Sequence, residues 1–166
     1  VVDPPVLAAL ALALDRDGRP GEASVARARA LSMVPPAGVE AFVRSSVEAL
    51  ARAGLPETAR RWLDEAVEQA VAGRLGPDSA TLAKRLRVSG AALRSMDGDR
   101  EGARTRLRAV LAEDPADREG LDLLRSLAAG DREWAEVVSR LRAAATSSAG
   151  AARAGFLREA GRVLAD

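Results

Sequence analysis

The chain has 166 residues and carries 25 basic against 24 acidic side chains for a net charge of +1; 48% of its residues are hydrophobic but only 2% are aromatic. It has no cysteine, histidine or tyrosine, which excludes disulfides and removes the usual general base, the thiolate and the common nitrogen and sulfur metal ligands. The apolar residues are mostly Ala, Leu and Val, which suits closely packed helices and not a β-sandwich, and the balanced charge argues for neither nucleic acid nor a membrane surface.

The first element is "VLAALALAL", Val6 to Leu14, nine residues that are apolar on every face. It is too short to span a bilayer, which takes about 20 apolar residues, and no basic segment precedes it as in a signal peptide. A terminal helix keeps one polar face, so the expectation is that preceding residues of a longer protein, or a second copy of the chain, cover this one. Gly18 then makes a turn, Ala23, Ala30 and Leu31 share a face of the next helix, and Pro35 stops it.

"VEAFVRSSVEALARAG" places Val39, Val43, Val47 and Leu50 on one helical face and ends at Gly54. "LPETARRWLDEAV" follows with Ala59, Leu63, Ala66 and Val67 together. "VAGRLGPDSAT" (71–81) reads as a longer loop or an extended helix. After Gly98, Ala103, Leu107, Val110 and Leu111 make a face that Pro115 closes. Leu121, Leu124 and Leu127 line the next helix; Gly130 makes its turn, and Val137, Leu141, Ala144 and Ala145 complete the pair. The last stretch, "AARAGFLREAGRVLAD", directs Phe156, Leu157, Ala160 and Leu164 inward as a capping helix.

The second helix of each pair repeats the same offsets in four copies, shifted by 36, 44 and 34 residues. That is the range of helical-hairpin solenoids, and the spacing of 44 implies about ten inserted residues in the 71–81 stretch. Small Ala23, Ala59 and Ala103 let antiparallel helices approach, Leu63, Leu107 and Leu141 fill the space one turn later, and each Gly supplies the positive φ after a helix C-terminus. Arg27 stands where the other copies have leucine. The aspartate pairs Asp15/Asp17 and Asp97/Asp99 lie beside turn glycines and read as helix caps, not as a calcium site. Trp62 and Trp134 read as packing residues.

"GDREGARTRLRAVLAEDPAD" (98–117) resembles the second helix and closing Asp-Pro of a tetratricopeptide repeat, and "GDREWAEVVSRL" (130–141) is similar to the same region, with Trp134 where that family often has an aromatic. The Trp, Leu-Gly and Tyr signals of the family's first helix are missing. The resemblance implies an all-α, right-handed superhelical stack of about four helix-turn-helix repeats (4–35, 36–72, 77–115 and 117–146) with a C-terminal capping helix at 150–165, forming a single domain of a larger protein.

In such a family ligands lie in the concave groove lined by the first helix of each pair. Carried over by the repeat offsets, the groove positions are Arg44, Glu48 and Arg52, then Arg85 and Val88, then Glu119 and Asp122. The chain has no Asn, so the family's carboxylate clamp is not expected. The function implied is a non-catalytic scaffold for a protein or peptide partner, with no cofactor and no metal, and with a cytoplasmic setting favoured. The alternative is an anion- or RNA-binding repeat. Lys84 to Arg108 holds eight basic and three acidic residues, and Arg104, Arg106 and Arg108, interleaved with core positions, are expected to project to solvent. No aromatic platform accompanies them, and a GC-rich genome accounts for the general excess of Arg over Lys84, the lone lysine.

Overall fold

A computed structural model describes residues 3–131 and 133–165, apart from the side chains of 130, 131 and 165. Among the described residues the chain is all-helical, with nine α-helices packed as consecutive pairs. They are α1 (Pro4–Arg16), α2 (Pro20–Met33), α3 (Val39–Arg52), α4 (Pro56–Val71), α5 (Ser79–Met96), α6 (Arg100–Glu113), α7 (Arg118–Asp131), α8 (Trp134–Ser147) and α9 (Gly150–Ala165). The contacts group into two compact units, one up to Leu86 and one from Arg87 onward, so the division falls within α5.

The hairpin turns follow from local chemistry. Gly18, Gly54 and Gly98 have φ of 72°, 77° and 83°. This left-handed conformation turns the next N–H back onto the helix: Arg19 N–H donates to the Leu14 carbonyl at 2.9 Å, Leu55 to Leu50 at 3.0 Å and Asp99 to Arg94 at 2.9 Å. Pro20 and Pro56 then open the following helices, at a position where the missing N–H costs no hydrogen bond. Asp99 caps α6, its carboxylate accepting from the Gly102 N–H at 3.0 Å. The 71–81 stretch resolves into a connection at 72–78 followed by a long α5. Gly130 lies within the last turn of α7 and not beyond it as the turn residue.

In the first unit α1 packs on α2 and α3 on α4, with α3 also touching α1 and α2. Ala23 and Ala59 are fully buried, and Leu31, Val39, Val43, Leu63 and Trp62 are buried as well. In the second unit α6, α7, α8 and α9 pack in succession. One continuous core runs from Ala91 and Ala103 through Leu107, Leu124 and Leu141 to Phe156, with Trp134 half-buried against it.

In the terminal helices the packing selects one face of each. In α1, Leu7, Ala11 and Leu14 are buried, while Val6 and Leu10 are about half exposed. In α9, Leu157 and Leu164 are exposed, contrary to the expectation that they point inward. Phe156, Ala160 and Val163 form the buried face instead. Phe156 and Ala160 belong to both helical faces; the packing rotates α9 so that Val163, and not Leu157 or Leu164, joins them in the core.

Two charged residues of the first unit are part of the interior. Arg27, at the leucine position of its repeat, is only 5% exposed and pairs with Asp15, whose side chain is buried as well. Its guanidinium lies 5.7 Å from the centroid of the Trp62 ring, a cation–π contact. Asp15 is therefore the partner of a buried arginine and not a helix cap. Neither Arg27 Nε nor Asp15 Oδ1 has a hydrogen-bond partner among the described residues.

Candidate interaction grooves

The helices that come first in their pairs leave grooves on both units. In the first unit, Pro5, Ala8, Ala9 and Leu12 of α1 face Phe42, Ser45, Ser46, Ala49 and Leu50 of α3 across an open pocket of about 310 Å³, with Arg27 also in its lining. The walls are largely apolar. They lie on α1 and α3 because the buried stripes Leu7–Ala11–Leu14 and Val43–Val47–Leu50 leave the adjoining positions at the groove. A second cleft, of about 530 Å³, lies between the start of α3 and α5; Pro36, Glu40, Leu75, Asp78, Leu82 and Arg85 are in its walls. Arg85 bonds to Glu40 across it at 3.0 Å.

In the second unit, Arg118, Asp122 and Arg125 of α7 face Gly155, Arg158, Glu159 and Arg162 of α9 around about 540 Å³. This groove is charged. Glu159 accepts from Arg118 at 3.0 Å and from Arg125 at 3.3 Å. The Arg118 guanidinium also stacks 4.2 Å from the centroid of the buried Phe156 ring.

The residues predicted for a groove are only partly brought together. Arg44, Glu48 and Arg52 share an exposed face of α3, but the α1–α3 pocket opens on the face of Phe42, Ser45, Ser46 and Ala49. Arg44 pairs with Glu40 one turn away at 3.2 Å, and Arg52 Nε donates to the Glu48 carbonyl at 3.3 Å. Arg85 lines the α3–α5 cleft and Asp122 the α7–α9 groove, whereas Glu119 is exposed and outside that lining. Val88 is 2% exposed and belongs to the core, so it presents nothing to a ligand. Sequence reasoning missed the α9 side of the charged groove. Its signal was legible as Arg158 and Arg162 at i, i+4, beside Glu159.

The basic region also differs from expectation. Arg104 is 6% exposed and pairs with Glu133, so it does not project to solvent. Arg106 is half-buried. Arg108 binds Glu136 through two hydrogen bonds, Nε to Oε1 at 2.7 Å and Nη2 to Oε2 at 3.0 Å, and also reaches Glu101 at 2.9 Å. These bonds to Glu136 and Glu101 raise the pKa of Arg108, and the bond from Arg108 holds the Glu136 carboxyl below the ordinary carboxylate value. Arg87 bonds to Glu113 at 2.7 Å, and Arg94 to Asp99 at 2.6 Å. The local positive charge is thus met by nearby carboxylates.

Among the described residues no group of acidic side chains is placed to hold a metal ion, and no helix is long and apolar enough to cross a membrane. No family model, curated protein or solved structure matches the chain.

Proposed function

We propose that the chain is a non-catalytic interaction scaffold, a right-handed stack of tetratricopeptide-like hairpins that holds a protein or peptide partner along its first helices. The observation that carries this reading is the α1–α3 pocket. It is open, largely apolar and walled by two first helices, with Ala8, Ala9 and Ala49 leaving room for a partner's side chains. The absence of His, Cys and Tyr from the chain supports a role without chemistry of its own. The alternative RNA-binding reading loses support where Arg87, Arg94, Arg104 and Arg108 meet carboxylates, since a phosphate backbone would have to displace them.

The test is selection of peptides from a random displayed library on the full chain, with Ala9→Trp and Ala49→Trp as groove-filling variants. Selected peptides are expected to lose affinity by about tenfold or more when the indole occupies the pocket. A library that yields no binder sensitive to either these substitutions or changes on α7 and α9 would sink the scaffold reading. Single-stranded RNA is expected to show no measurable binding at physiological salt.

A further inference from the structure

Resting on that scaffold reading, we infer that the groove between α7 and α9 receives an acidic stretch of the partner polypeptide. Four guanidiniums, from Arg118, Arg125, Arg158 and Arg162, line it against the two carboxylates of Asp122 and Glu159. The excess positive charge is local, because the whole chain is nearly neutral.

The arrangement is also preorganised. Glu159, with its side chain 19% exposed, ties down both Arg118 and Arg125, and the Phe156 ring supports the guanidinium of Arg118 from one side. A guanidinium has five N–H donors, so a shared carboxylate leaves others open to an incoming acceptor. Holding two long side chains in place beforehand removes part of the ordering cost of binding. Arg158 and Arg162 lie one turn apart on α9, exposed and with no acidic partner among the described residues. Such forks match carboxylates in bidentate geometry.

The size and the walls favour a peptide. Arg118 and Arg125 are seven residues apart on α7, about 10 Å at 1.5 Å per residue, which an extended peptide covers in about three residues. Gly155, with no side chain, keeps the wall low beside Arg118. A nucleic acid fits less well. The one ring at the groove, Phe156, is buried and offers no stacking platform, and Asp122 and Glu159 oppose an unbroken row of phosphates.

The test titrates the isotope-labelled full chain with blocked deca-glutamate and, separately, with blocked deca-glutamine at physiological salt, following backbone amide resonances. Deca-glutamate is expected to shift amides of α7 and α9 around Arg118–Arg125 and Gly155–Arg162, and to bind at least about tenfold more tightly than deca-glutamine. Arg158→Gln with Arg162→Gln should weaken it by about tenfold or more. Gly155→Leu should weaken it similarly, by filling the groove without changing charge, while the exposed Arg142→Gln on α8 should leave it unchanged. Circular dichroism melts establish that each variant is folded; if the charge variants fail to fold, Gly155→Leu, which improves helix propensity, still decides. Equal binding of the two peptides, no binding, shifts confined to other helices, or tighter binding of oligo-uridine through the same arginines would each overturn the inference. Library peptides that are not acidic and map to the α1–α3 pocket would leave the scaffold reading standing while this inference falls.

Discussion

At Arg27 the repeat offset calls for a leucine, since Leu63, Leu107 and Leu141 occupy the same place in the other copies. The larger side chain is accommodated because Asp15, on the preceding helix, pairs with it and the Trp62 ring accepts the cation. Taking both charges out of water costs several kcal/mol per ion, and the pair recovers this only in part when polar atoms such as Arg27 Nε stay unbonded. Asp15→Ala should therefore destabilise the chain by about 3 kcal/mol in urea unfolding, by leaving the guanidinium buried alone. Adding Arg27→Leu to Asp15→Ala should recover most of that loss. A double variant as unstable as the single one would show that Arg27 contributes through its packing and not through the pair.

Ala59 and Ala103 are both completely buried, as small residues at helix crossings would be. Ala59→Leu and Ala103→Leu should each cost about 1–3 kcal/mol by overpacking, measured by thermal or chemical denaturation. If both are neutral, the crossings lie elsewhere. The link between α6 and α8 is electrostatic at its surface. Glu136, bonded to Arg108, has a folded-state pKa below the ordinary 4.5 of a glutamate, so its contribution is present above pH 4.5 and is lost as pH falls through the lower folded value. Unfolding free energy measured as pH drops below 4.5 should therefore decline, and Glu136→Gln should flatten part of that decline. The effect is small because the pair is partly solvated, with Arg108 and Glu136 side chains 40% and 23% exposed.

For the molecule as a whole, helix is expected to dominate the far-UV circular dichroism spectrum, well above about half of the residues and against a usual third. A substantial strand signal would contradict the architecture outright. Packing along the chain is mostly between neighbouring helices, and the two compact units are each assembled from such neighbours. The grooves follow from this. A helix that buries one stripe against its partner leaves an adjoining strip open, and two such helices side by side make a groove.

The helical class, the turns at Gly18, Gly54 and Gly98 and the buried alanines were legible in the sequence. Each is local: periodicity within one helix, or a backbone angle that favours glycine, is written within a few residues. The grooves were legible only in part, through Arg85 and Asp122. Which strip of α3 opens to a pocket, and which of two helical faces of α9 is buried, depend on the rotation of each helix about its axis, and packing against neighbours sets that rotation. The fate of the arginines was decided the same way. Arg104 and Glu133 are 29 residues apart, Arg108 and Glu136 are 28, and Arg118 and Glu159 are 41. Ion pairing is a matter of distance in space, so only the tertiary structure could turn an apparently basic stretch into a set of paired charges and leave Arg158 and Arg162 on α9 without an acidic partner among the described residues.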